Sequence, residues 1–182
     1  MIQFEISRAV PADVQELNSI MEAVTAGMEK AEWFISDDLA YIEQHIGKEP
    51  LTAEDFGFIL KAVVKEQENE RIAGFFMVDF PGITERNLGT YLQMPTQQMG
   101  QVAHMDSVVI LPQYRGNGLQ HRFMQKAEEI IAKETDYRIL LATVHPDNRY
   151  SLQNVKAMGY QVTAEVMKSG IYHRYILKKE LA

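Results

Sequence analysis

The sequence predicts an α/β fold of the mixed α+β kind, and three observations carry that reading. Two β-rich runs, FGFILKAVVKE (56–66) and RIAGFFMVDF (71–80), flank the polar stretch QENE, which is a hairpin signal. QVTAEVMK (161–168) and YHRYILKKEL (172–181) close the chain as a second hairpin. Between the two lies a strand, VAHMDSVVILP (102–112), then an amphipathic helix, then another strand, RILLATVHP (138–146). Such a βαβ unit makes its strands parallel and its crossover right-handed.

The remaining elements come in chain order. FEISRAV (4–10) alternates apolar and polar residues and reads as a strand. Pro11 suits the first turn of a helix, and Val14, Leu17, Met21, Val24 and Met28 recur at helical spacing. Asp37 and Asp38 favour a helix start before Leu39, Ile42 and Ile46. AEWFIS (31–36), with the sole tryptophan, Trp33, joins these two helices.

Residues 81–100 are weakly patterned; a connection of that length is expected to be functional or partly helical. From Leu119 the apolar positions Phe123, Ala127, Ile130 and Ile131 mark the crossover helix. RILLATVHP is apolar on both faces, as a buried parallel strand is. Asp147 or Asn148 caps a last helix carrying Leu152, Val155 and Met158, which Gly159 ends. The order is β-αα-β-β-β-α-β-α-β-β, read as one domain over residues 1–182.

Composition narrows the function classes. The chain is 46% hydrophobic and 9% aromatic, enough for a substantial core. No window resembles a membrane span, and MIQFEISRAVPADVQEL lacks the basic and apolar regions of a secretion signal. With no cysteine, disulfide and thiolate chemistry are excluded, and a cytoplasmic location is expected. A net charge of -7 argues against general nucleic-acid binding, and with no spanning window no membrane partner is expected. His104, Asp106, His121, His145 and Asp147 lack the spacing of a metal site, so no metal is expected. The ten methionines read as core filling.

The stretch DSVVILPQYRGNGLQ (106–120) carries the sharpest signal. Its strand runs into Arg-Gly-Asn-Gly and then into a helix. Glycine permits positive φ and close backbone approach, and the first N–H groups of a helix lack internal partners. Together they make an anion site to which Arg115 adds a charge-assisted donor. The spacing is neither G-x-x-x-x-G-K-[ST] nor a three-glycine dinucleotide fingerprint. A plain turn with a helix cap uses the same residues.

VVILPQYRGNGLQ resembles motif A of the GNAT superfamily of acyl-CoA-dependent N-acyltransferases, [QR]-x-x-G-x-[GA] after a strand ending in V-x-P. Arg115 fills its first position and Gly118 its fourth; Gln120 stands where the family usually has Gly or Ala. HPDNRYSLQNVKAMGY is similar to motif B through Asn148, Ser151, Gly159 and Tyr160. The resemblance implies a central mixed, splayed sheet of about seven strands flanked by about four helices. It implies acetyl-CoA as co-substrate. The backbone of Val108, Val109 and Ile110 would run along the pantetheine arm. The N–H groups of Gly116, Asn117, Gly118, Leu119, Gln120 and His121 would hold the pyrophosphate. Asn148 and Ser151 would contribute from motif B, although Asn148 also serves as a plain helix cap.

The implied activity is N-acetylation of a primary amine, on a small molecule or a peptide. The alternative is a CoA- or acyl-CoA-binding sensor without turnover. Acyl transfer from a thioester needs a base for the amine, donors for the oxyanion, and relief of charge on the leaving thiolate. His104, Asp106 and Val108 are two apart, so alternation sends their side chains to one face. By the resemblance, Asp106 or His104 is the base; the other roles open to them are an ammonium-orienting carboxylate and a satisfied polar residue. The oxyanion donor would be the N–H of Val109 or Ile110. The family's usual acid, a tyrosine seven residues after the motif B asparagine, is replaced by Val155. Trp33, Phe34 and Tyr91 are candidates for the acceptor pocket or for core packing. In the family the C-terminal strands often build a homodimer.

Overall fold

The computed structural model describes residues 2–66 and 69–182, so half of the QENE turn lies outside the described residues. The strands are β1 (Phe4–Arg8), β2 (Gly57–Glu66), β3 (Asn69–Asp79), β4 (Val102–Ile110), β5 (Ile139–Val144), β6 (Gln161–Lys168) and β7 (Tyr172–Glu180). They form one sheet in the order β1-β2-β3-β4-β5-β7-β6. Only β4 and β5 are parallel; every other neighbouring pair is antiparallel.

The helices are α1 (Val14–Ala26), α2 (Leu39–Gln44), α3 (Thr96–Met99), α4 (Leu119–Glu134) and α5 (Arg149–Ala157). The fifth, beyond the four expected, is the single turn α3 within the 81–100 stretch. α1 ends at Ala26, short of Met28, and α2 ends at Gln44, short of Ile46. At the end of α2 the chain turns inward and buries His45.

The sheet is packed on both faces. Phe58, Leu60, Phe76, Val78, Met105, Phe123, Ala127 and Ile131 join the sheet to α4 in one core layer. Leu17, Met21, Ile42, Ile59, Phe75, Met77 and Val109 join it to α1 and α2 in the other. The helical spacing read from α1 and α4 therefore marks the faces that enter these layers.

Two irregularities at β4 interrupt this regular sheet. The parallel ladder to β5 is short, pairing Val102 with Ile139, Ala103 with Leu140 and His104 with Leu141. Past His104 the two strands part, as the resemblance implied. On its other side β4 carries a bulge: Met77 of β3 faces Ser107 and Val78 faces Met105, leaving Asp106 as the extra residue. A bulge resets the alternation of side chains. Ala103 and Met105 belong to the α4 layer before it, and Val108 and Ile110 pack against that layer after it. The expectation that Val108 shares a face with His104 and Asp106 is thereby corrected.

The stretch from 81 to 100 is organised by one buried side chain. Asn87 Nδ2 donates to the carbonyls of Gly82 (2.7 Å) and Met99 (3.0 Å), and its Oδ1 accepts from Gly89 N–H (2.8 Å). Asn87→Ala leaves those buried backbone groups without partners, so a loss of about 2–4 kcal/mol is expected. Urea unfolding measures it, and hydrogen exchange should quicken at the Gly89 amide.

Candidate active site

Where β4 and β5 part, a cavity of about 530 Å³ opens on the α1–α2 side of the sheet. Asp106 and Ser107 line it from β4 and Thr143 from β5. Trp33, Phe34 and Asp37 come from the connection between α1 and α2, and Tyr41 from α2. Arg86 and Tyr91 come from the 81–100 stretch; Lys168, Ser169 and Arg174 come from the β6–β7 hairpin. The turn of that hairpin is tied to the stretch, because Ser169 N–H donates to the Tyr91 hydroxyl (3.0 Å). Trp33, Phe34 and Tyr91 thus all border the cavity.

The floor rests on Asp79, at the end of β3 and only 2% exposed. One carboxylate oxygen meets His45 Nε2 at 2.9 Å and the other meets His104 Nδ1 at 3.1 Å. Arg86 Nη2 donates to both at 3.0 Å. Burial alone would raise the Asp79 carboxyl. The hydrogen bonds from His104 and His45 and the charge of Arg86 overcome it and hold the group well below the usual carboxylate range.

The partners fix the protons on these rings. His104 Nε2 accepts from Leu88 N–H (3.1 Å), so its proton lies on Nδ1 and points at Asp79. His45 meets oxygen on both nitrogens, the Tyr41 carbonyl at 2.7 Å from Nδ1 and Asp79 from Nε2.

Above this floor stand two carboxylates. The Tyr41 hydroxyl donates to Asp106 Oδ2 (2.9 Å), and the Ser107 hydroxyl donates to Asp37 Oδ2 (3.0 Å). Burial, reinforced by the neighbouring charge of Asp106, pushes the Asp37 carboxyl up to about 7, against the opposing hydrogen bond from Ser107. Burial and the charges of Asp106 and Asp79 push the Tyr41 phenol upward, so it remains a donor.

Beyond the bulge β4 offers backbone. Leu111 N–H donates to the Ala73 carbonyl on the β3 side. Alternation then turns Val109 N–H toward β3 and the N–H groups of Val108 and Ile110 toward the opening. Arg115 Nε donates to the Ile110 carbonyl (3.2 Å).

In the glycine turn Gly116 has φ 78° and Gly118 has φ 70°, values that an L side chain strains to adopt. Asn117 pins the turn by donating to the carbonyls of Tyr114 and Arg115. Leu119 buries its side chain in the core, while His121 is exposed. Among the described residues, no backbone carbonyl accepts from the N–H groups of Gly116 to His121. They face outward from the start of α4, where the helix dipole adds partial positive charge.

Gln120 turns away from that row. Its Oε1 accepts from Asn154 Nδ2 (3.0 Å) and its Nε2 lies 3.5 Å from Ser151 Oγ, which links the starts of α4 and α5. Asn148 is the cap of α5, accepting from Ser151 N–H (3.2 Å). Val155 is 3% exposed in the core, and the Tyr160 hydroxyl donates to Glu128 (2.9 Å), away from the cavity.

The structure brings His104 and Asp106 to one cavity, and Arg115 through His121 to the helix start at the other end of the opening. Asp79, Arg86, His45 and Tyr41 are not singled out by the sequence, and Asp37 stands there only as a helix-starting residue. Two of these left a trace: Asp79 is a lone carboxylate ending the apolar run FFMV, and Asp37 doubles a cap that needs only Asp38. No group of three or more His, Cys, Asp or Glu among the described residues is arranged to hold a metal ion.

Comparison with known proteins adds the family. Residues 23–160 match the model of the acetyltransferase (GNAT) family. No curated protein matches the sequence significantly. NAA60 of Arabidopsis thaliana, solved in complex with acetyl-CoA, superposes with a TM-score of 0.74 at 10% identity, covering 98% of this chain and 99% of that one. A GNAT-family acetyltransferase of Streptococcus pneumoniae gives 0.67 at 17% identity, covering 98% and 100%. The putative acetyltransferase yncA of Salmonella typhimurium, with its cofactor acetyl-CoA, gives 0.65 at 16% identity, covering 98% and 94%. With the family match running from α1 to the end of α5 and the fold shared from end to end, this chain belongs to the GNAT family of acetyltransferases.

Proposed function

We propose that the protein transfers an acetyl group from acetyl-CoA to a primary amine held in the cavity. One observation carries this: the opening between β4 and β5 has a row of outward N–H groups at one end and a carboxylate-lined cavity at the other. The first suits a pyrophosphate and the second an ammonium. The N–H groups of Val108 and Ile110 line the route between them, where a pantetheine arm runs as a further strand. Arg115, Gly116, Asn117, Gly118, Leu119, Gln120 and His121 receive the phosphates, and Asn148 and Ser151 border the arm from α5.

Asp37 and Asp106 act as the proton-accepting pair. The amine gives its proton to this pair, and its nitrogen attacks the thioester carbon. A C–N bond forms, the C–S bond breaks and CoA leaves as the thiolate, which takes up the second proton that the nitrogen sheds as the amide forms; the carboxylate pair returns the first to solvent. The N–H of Ile110 faces the opening and serves the oxyanion; that of Val109 is turned to β3. His104 is a positioning residue, since its Nε2 lone pair already accepts from Leu88. At the position of the family's acidic tyrosine Val155 offers no proton. A thiolate leaves unaided, because its conjugate thiol has a pKa of only about 8.5.

Incubation with acetyl-CoA and a broad amine panel should release free CoA above background. If calorimetry shows acetyl-CoA binding while no amine supports release, the sensor reading replaces this one. Gly118→Ala should raise KM for acetyl-CoA at least about tenfold, because it strains the left-handed turn beneath the phosphates.

The proton acceptor sets the pH dependence. With Asp37 near 7, kcat/KM should fall as pH drops through 7, and Asp37→Asn should lower it by roughly a hundredfold and remove that limb. The same raised pKa predicts stability. A carboxyl lifted in the folded state favours folding below its unfolded pKa and loses that contribution as pH rises through 7. Asp37→Asn should therefore raise the melting temperature at pH 8 relative to the parent, with the gain vanishing near pH 4.

A further inference from the structure

Asp37 and Asp106 are assigned the acid–base chemistry, while two of the cavity's cations, Arg174 and Lys168, have no ion-pair partner among the described residues. Arg174, on β7, lines the cavity and is 3% exposed. Its Nη1 donates to the carbonyl of His173 (2.7 Å) and its Nη2 to the carbonyl of Glu32 (2.9 Å). Its guanidinium lies 5.5 Å from the centre of the Tyr172 ring. Among the described residues it forms no ion pair; the Glu32 carboxylate acts on it only at longer range. Burial accordingly pulls its pKa down.

A buried guanidinium held by carbonyls and an aromatic face, with no counter-charge, is an expensive arrangement for structure alone. Arg8, the other arginine buried to this degree, carries a carboxylate partner in Glu134, and the more exposed Lys61 and Lys179 carry theirs, whereas the half-buried Arg138 is held, among the described residues, by carbonyls alone. Lys168, on the same hairpin, also lines the cavity and has no ion pair among the described residues. Arg86, by contrast, is spent on Asp79. The cavity therefore carries Asp37 and Asp106 on the α2–β4 side, Arg174 and Lys168 on the β6–β7 side, Glu85 and Arg86 on the 81–100 stretch, and the ring of Trp33 on the connection that Arg174 tethers through Glu32.

From this division we infer that the acceptor is a small amphoteric amine, of the amino-acid class. Its ammonium is taken by Asp37 and Asp106, and its carboxylate by Arg174 with Lys168. A polyamine leaves both cations unpaired and sets like charges against them. A neutral amine leaves the buried guanidinium without an anion. The inference rests on the acetyltransferase reading and narrows it to one substrate class.

The test uses matched pairs: free amino acids and ω-amino acids, each against its carboxamide or its decarboxylated amine, followed by CoA release. The carboxylate-bearing member should show a kcat/KM at least about tenfold higher, expressed mainly in KM. Lys168→Ala should erode that preference, lowering kcat/KM for the carboxylate far more than for the carboxamide. Arg174→Lys should do the same, and its folding is checked by its melting temperature. Should Arg174→Lys fail to fold, Lys168→Ala and the matched pairs still decide the matter. Equal or better turnover of the carboxamides and bare amines overturns the inference and leaves the transferase reading standing. Equal losses on both members of a pair in Lys168→Ala also overturn it. Acetyl-CoA binding with no CoA release from any amine overturns both.

Discussion

A parallel ladder that stops early is the constraint on which the centre of this molecule depends. β4 and β5 hold together from Val102 to His104 and then diverge, while β5 stays paired with β7 along its length. The part of β4 beyond His104 keeps β3 on one side and turns the N–H groups of Val108 and Ile110 toward the opening on the other. Unpaired backbone in mid-sheet costs free energy unless something bonds to it. The separation thus creates an opening through the sheet. Everything assigned to the site sits at one mouth of that opening or the other.

Asp79 holds the polar mouth together. α2, through His45, and the 81–100 stretch, through Arg86, converge on one carboxylate at the end of β3, and β4 reaches it through His104. Leu88 adds a second tie between the stretch and β4 by donating to His104. Neutralising a buried carboxylate from several directions makes the arrangement stiff, because loss of any one donor exposes a desolvated charge. It also keeps Asp79 ionised.

Much of the fold was legible because periodicity reports burial. The apolar stripes of α1 and α4 and the all-apolar β5 described faces that do enter the core. The glycine turn was legible for a different reason: left-handed backbone leaves glycine as its mark. What escaped was whatever long-range pairing decides. No local pattern announces that His45 and His104 meet over Asp79, or that Arg174 finds no carboxylate. The bulge at Asp106 escaped too, since it arises from the register of β4 against β3 and has no residue signature in DSVVI. The helix ends at Ala26 and Gln44 fell short of the periodic pattern because apolar spacing continues past the point where the chain must turn.

The same bulge governs how the sequence can change. β4 is read in two frames: up to Met105 odd-numbered positions face α4, and from Val108 onward even-numbered positions do. Asp106 and Ser107, consecutive in sequence, can therefore both serve the cavity. The half of the strand that carries His104 to the cavity floor is in a different frame from the half whose N–H groups of Val108 and Ile110 face the opening. Substitutions before the bulge leave the frame after it untouched. One strand thus presents two consecutive side chains to the cavity while it continues to pair with β3.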